Sequence, residues 1–146
     1  MGVDIVLRSN VPEALRAIDG AVAQRMFEAV NAVRNEAVLT LSRPGKGRVY
    51  ENYIYEDEAG NMKFGRRRNI PHRASAPGDP PAVDTGRLRQ SVRYEVEGNI
   101  GLVGTDLDYG KKLQFGTRKV AARPWLDVAF REAADRVIEI FRRPWL

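Results

Sequence analysis

"NVPEALRAIDGAVAQRMFEAVNAVRNEAVLTL", Asn10–Leu41, is the stretch whose reading decides the fold. Asn10 followed three residues later by Glu13 has the form of a capping box, and Pro12 suits a first helical turn. Apolar residues then recur at Leu15, Ile18, Val22, Met26, Ala29, Val33, Ala37 and Leu41, the spacing of one helical face. The pattern predicts one long amphipathic helix of roughly 45 Å at about 1.5 Å per residue, with a bend at Gly20, where glycine costs about 1 kcal/mol relative to alanine. Ahead of it, "VDIVLRS" (3–9) alternates Val3, Ile5 and Leu7 with more polar neighbours, the signature of a half-buried strand.

Working outward, "SRPGKGR" (42–48) ends the helix with Pro44 and two glycines. "VYENYIYEDEAGNMKFG" (49–65) then reads as a hairpin about an acidic turn at 56–61, protruding from the body because Tyr50, Tyr53 and Tyr55 keep no strict alternation. A proline-rich passage, "HRASAPGDPPAVDTGRL" (72–88), follows, with Asp84 or Thr85 placed to cap a helical turn over 87–91. "VRYEVEG" and "IGLVGT", joined through Gly98 and Asn99, predict an antiparallel hairpin. "LDYGKKLQFGT" predicts a short helix stopped by Gly116, and Pro124 opens a last helix with an apolar stripe at Leu126, Phe130, Ala133, Val137 and Phe141.

This order predicts an α+β fold: a small antiparallel sheet packed against a long N-terminal helix and a C-terminal helix, with a protruding basic hairpin or loop insertion at about 43–83. At 146 residues the chain has the usual size of one domain, here 1–146. Leu88, Val103, Phe115, Leu126, Phe130 and Val137 are expected in the core, with Tyr53, Tyr55 and the 56–61 turn outside it.

Composition excludes several function classes. The chain has no cysteine, which removes disulfides, thiolate metal sites and cysteine nucleophiles. A single histidine, His72, gives no basis for a Ser-His-Asp triad or a multi-histidine metal centre. The carboxylates at Glu56, Asp57 and Glu58, and at Asp106 and Asp108, read as solvated turn charges before they read as ligands of a hard cation. "RPGKGR" lacks the spacing of a phosphate-binding loop. No catalytic, cofactor or metal residue is therefore assigned. No run approaches about 18 apolar residues, and "MGVDIVLRSN" lacks the features of a signal peptide, so the expectation is synthesis in the cytoplasm with no membrane contact.

The net charge of +5 is unevenly placed. Residues 1–42 carry four basic side chains against five acidic, 43–73 eight against four, and 74–146 twelve against ten. The excess concentrates in "KFGRRRNIPHR", where Lys63, Arg66, Arg67, Arg68 and Arg73 have no acidic neighbours. An irregular, solvated segment and a phosphate-facing segment are the two readings of that cluster. "RPWL" occurs at 123–126 and again at 143–146. Trp145 and Leu146 at the end of the chain need apolar cover, for which a neighbouring subunit is a natural source.

"HRASAPGDPPAVDTGRLRQSV", "IGLVGTDLDYGKKLQFGTRKVAARPWL" and the closing helix together resemble the small neck or tail-component proteins of long-tailed bacteriophages, the tail-completion and head–tail joining family. The wording that carries the likeness is Asp84, Thr85, Gly86 and Leu88; Val103, Gly104 and Thr105; Tyr109, Phe115, Gly116 and Thr117; and Ala122, Arg123, Pro124, Trp125 and Leu126. It covers roughly the C-terminal half. The first half is similar only in kind, and 49–65 departs from the family as a variable insertion.

The resemblance implies a non-enzymatic virion subunit without cofactor, forming a homo-oligomeric ring of about six subunits between the portal side and the tail tube. Its implied partners are other copies of itself, connector or stopper proteins and tail-tube proteins, in the virion and, during assembly, in the host cytoplasm. On that reading the proline-rich loop is an intersubunit strap, because pre-stiffened chain loses little entropy on ordering. The expected interface is Pro77, Pro80, Pro81, Asp84, Thr85, Gly86, Arg123, Trp125, Trp145 and Leu146, with the core as the other seat for Trp125 and Phe130. Lys63, Arg66, Arg67, Arg68 and Arg73 are expected either to line a DNA channel in sequence-independent contact or to meet a neighbouring subunit. The alternative from another class is a stand-alone basic nucleic-acid-binding protein, supported by a pI near 9.8 but by no recognisable reading helix.

Overall fold

The structure is a computed structural model and describes residues 11–145. The expected first strand with Val3, Ile5 and Leu7, the capping residue Asn10 and the terminal Leu146 lie outside the described residues. Helix α1, Val11–Thr40, runs without interruption through Gly20. Helix α4, Leu126–Arg142, packs along it in the opposite direction. Ala37 and Leu41 meet Trp125 and Ala129 at one end, and Ala29 and Ala32 meet Ile140 further back. Alanines on both helices let the two backbones approach closely, and the contact closes with Trp125 only 2% exposed.

Two antiparallel hairpins, each its own two-stranded sheet, complete the α+β architecture. The pair β3 (Arg93–Glu97) and β4 (Ile100–Gly104) lies against α1, held close because Gly101 has no side chain: a Cβ there would stand 2.2 Å from Val30 Cγ1. Gly98, at φ 58°, makes the tight turn between them. The other pair, β1 (Val49–Glu56) and β2 (Met62–Arg73), is longer and irregular, with register shifts on either side of Asn52.

The "KFGRRRNIPHR" stretch is strand rather than irregular chain. It forms most of β2, and its partners run from Tyr55 opposite Lys63 to Val49 opposite Arg73. Alternation failed to reveal it because β2 has no buried residue on either face, so period two carries no hydropathy contrast. Tyr53 and Tyr55 are exposed, as expected of a hairpin outside the core.

Helix α2 (Arg87–Ser91) buries Leu88, and helix α3 (Asp108–Phe115) ends at Gly116, whose φ of 74° suits glycine. Two expected core residues are outside it. Phe115 is 73% exposed, because α3 turns Gly110 and Gln114 inward and leaves position 115 facing out. Phe130 is 62% exposed, because Ala129 and Ala133 occupy the face of α4 that meets α1. Val103, Leu126 and Val137 are half-buried at the margins of the same core.

Trp125→Ala should therefore cost about 3 to 5 kcal/mol in a urea melt, whereas Phe130→Ala in the dilute chain should stay within about 0.5 kcal/mol. Similar losses at the two positions would contradict this assignment of the core.

Candidate functional site

The proline-rich loop is built into its own chain before it can meet another. Gly47 N donates to Ala74 O at 2.8 Å and Ala74 N to Arg48 O at 2.9 Å, so the segment after α1 runs backbone to backbone with the start of the loop. The glycines of "RPGKGR" serve this approach: a Cβ on Gly45 would lie 2.2 Å from Arg73 O, and one on Gly47 2.6 Å from Ser75 O. Arg123 then reaches across. Its Nη1 donates to Ser75 O, Ser75 Oγ and Ala76 O at 3.1, 3.2 and 3.0 Å, while Gly78 N donates to Ala122 O. Pro81 and Gly86 are buried and Pro80 is half-buried, while Pro77, Gly78 and Asp79 stand out in a row, as do Asp84 and Thr85. Arg123, Pro81 and Gly86, expected at a subunit interface, thus hold the loop to its own body.

The D-T-G turn is the second tie. Arg68 donates from both terminal nitrogens to the Asp84 carboxylate, with Nη2 to Oδ2 at 2.8 Å, and its Nε donates to Asn52 O. His72 Nδ1 stands 3.9 Å from the same carboxylate. Bidentate geometry of this kind fixes orientation as well as charge. The Arg68 guanidinium holds Asp84 below the usual carboxylate range, and the carboxylate holds Arg68 above its own. Burial pushes His72 down, and Arg68 adds to that, against an opposing pull from Asp84. Thr85 Oγ1 accepts from Arg87 N at the start of α2, and Gly86 takes φ 77°.

Of the five cations expected in a channel, Arg68 is the exception. Its side chain is 8% exposed and spent on Asp84, Asn52 and the face of Tyr53, 4.3 Å away, so it does not present charge to DNA. The others stand outward. Lys63 lies 3.8 Å from Asp57 and Arg67 3.7 Å from Glu51, exposed pairs of the kind worth about 0 to 1 kcal/mol. Arg66 lies over Tyr53 at 5.6 Å, and Arg73 donates to Gly47 O.

The "QFGT" and "ARPWL" wording locks α3 to α4. Gln114 Oε1, buried, accepts from Trp125 N at 3.0 Å and Leu126 N at 2.9 Å, satisfying two open donors at the start of α4 from a different helix. Trp125 Nε1 donates to Gly110 O at 3.1 Å. Gly110 is itself confined, since a Cβ would meet Thr105 Cγ2 at 2.5 Å. Trp125 is accordingly a core residue and not an interface one.

The second "RPWL" has a different seat. Arg25, buried in the middle of α1, donates from Nη1 to Phe141 O and Arg143 O at 3.2 and 2.8 Å and from Nη2 to Pro144 O. Its guanidinium lies 3.7 Å from the Trp145 ring centroid, and Trp145 also contacts Phe141. The end of the chain is clamped to its own helix, and Trp145, expected on a neighbour, is partly covered there. Arg25 and Gln114 escaped the sequence reading because a buried arginine or glutamine has no local signature.

Between α2, the proline-rich loop and the base of the hairpin lies a cleft of about 490 Å³ lined by His72, Asp84, Arg87, Tyr109 and Arg123 among others. Burial raises Tyr109. Among the described residues no cluster of three or more His, Asp or Glu is placed to hold a metal, and no helix is long and apolar enough to cross a membrane. No family model, no curated protein and no solved structure matches the chain.

Asp84 and His72 both bind protons less readily folded than unfolded, so stability rises with pH. Acidification should weaken the fold first below about pH 6.5, as His72 protonates in the unfolded chain, and again below about pH 4 through Asp84. Urea midpoints followed across that range should show both limbs, and His72→Gln should remove only the upper one. A midpoint unchanged from pH 7 to pH 5 in the parent chain would contradict the arrangement.

Proposed function

We propose that this chain is a non-enzymatic structural subunit of a bacteriophage virion, forming a ring of about six subunits at the head–tail junction. There it joins the portal or connector side to the tail tube around the DNA channel, as a neck, tail-completion or tail-terminator component. The observation that carries the reading is the ordered set of neck-protein-like motifs in the C-terminal half. The structure supports it in one respect: Gly86, Thr105, Gly116, Arg123 and Trp125 from those motifs all occupy positions that lock the loop, α3 and α4 together. Residues that define a fold at separated points are those a family's wording would retain.

On this reading the β1–β2 hairpin is the variable part that differs between such subunits. It contributes Lys63, Arg66, Arg67 and Arg73 to a surface facing DNA or the adjoining subunit, without need of base readout. The alternative, a stand-alone nucleic-acid-binding protein, draws on the same hairpin, where exposed Tyr53, Tyr55 and Phe64 stand among the cations as a surface on which bases can stack.

Arg66→Ala with Arg67→Ala separates the readings, Arg68 being left intact because it anchors Asp84. The parent chain should form closed rings by native mass spectrometry, and virions imaged with labelled chain should carry it at the neck. The double variant should fold; where the hairpin faces DNA it should form rings but lose DNA retention, with any duplex affinity of the parent ring falling steeply with salt, and where it faces the adjoining subunit it should lose ring assembly instead. A monomer that binds single-stranded DNA tightly, and is absent from virions, would favour the alternative.

A further inference from the structure

Leu15, Ile18, Val22, Met26, Ala29 and Val33 lie on one face of α1, by their spacing of three and four residues. From Ala29 onward that face is buried against the body. Among the described residues it is exposed at its start: every residue from 11 to 20 is exposed, Leu15 at 55% and Ile18 at 38%, and Val22 is half-buried. The core-facing stripe thus runs off the end of the body for several turns. A helical end of this length is marginal in water without a partner for its apolar face.

The same chain carries an apolar groove of about 550 Å³ between α1, β4 and α4, with Met26, Val30, Ile100, Leu102, Phe130 and Val137 along it. Ile100, Leu102 and Phe130 are each more than half exposed. The stripe cannot fill the groove of its own chain, because Met26 and Val30, later turns of the same continuous helix, form one of its walls. It can fill that of another copy. Charges of both signs stand next to each surface: Arg16 and Asp19 adjoin Leu15 and Ile18 in sequence, Glu97 pairs with Ile100 in the β3–β4 ladder, and Arg131 follows Phe130.

We propose that the first turns of α1 in one copy seat Leu15, Ile18 and Val22 in the β4–α4 groove of the next, head to tail. This helix-in-groove contact uses two different surfaces of one chain, so each copy offers a free stripe and a free groove until a ring closes. The inference rests on the ring reading above and names the contact that builds it.

The absence of cysteine allows a direct test. Ile18→Cys and Phe130→Cys, made separately in the full chain and mixed under mild oxidation, should give a two-chain disulfide product in the mixture and not with either alone. Thermal melts of each variant check that it folds. Cross-linking of Ile18→Cys with itself would mean symmetric pairing of helix ends and would overturn the proposal. Rings without the mixed product would overturn it and leave the ring reading standing. A monomer whose thiol at position 18 is shielded from a thiol reagent would mean that the chain's own first ten residues cover the stripe, and both readings would fail.

Discussion

Close packing of α4 along α1 is the constraint on which the rest of the molecule depends. Ala29, Ala32 and Ala37 on one helix and Ala129 and Ala133 on the other remove the bulk that would hold the axes apart. Trp125 fills the end of the contact, and Gln114 caps α4 from α3, so the direction in which α4 leaves is fixed by a side chain outside it. The β3–β4 hairpin can then settle on α1 only through Gly101. Larger side chains at the alanines would widen the spacing and release Trp125, Leu88 and Val92 together, since they belong to one cluster.

From that body three pieces reach outward, and arginines control two of them. Arg123 ties down the proline-rich loop through three acceptors, and Arg68 ties the hairpin to Asp84. Neither contact adds much apolar burial. Each sets direction, because a planar guanidinium with several donors accepts only a narrow range of geometries. The third piece, the beginning of α1, is exposed from 11 to 20, and Arg25, the first buried residue of that helix, clamps the chain's other end. A body with held loops and an uncovered helix face is consistent with the proposed subunit whose remaining contacts come from other copies.

Elements set by local turn chemistry were legible in the sequence. The turn at Gly98, the stop at Gly116 and the short helix over 87–91 all follow from residues within a few positions of the feature. The long helix was legible because thirty residues of one period outweigh one glycine. What escaped were matters of tertiary choice. Phe115 and Phe130 are apolar at helical spacing, yet alanines and a glutamine hold the inward positions beside them. β2 is polar on both faces, so its strand character comes from pairing with β1. Of the residues expected at an interface, Trp125 and Pro81 are buried in their own chain and Arg123 is engaged with its own loop: wording that fixes a fold and wording that fixes an interface look alike until burial separates them. Asp84 was read for its place in the D-T-G turn, and its partner Arg68 was sixteen residues away in what looked like free charge.

The central claim is that the first turns of α1 are completed by another copy, while the half from Arg25 onward is completed by its own chain. Amide hydrogen exchange measured over a dilution series tests it most directly. The amides of 15–24 should be protected in the concentrated, assembled protein and exchange rapidly once it is dilute, while those of 29–40 stay protected throughout. Protection of 15–24 that persists unchanged in a dilute monomer would contradict the account.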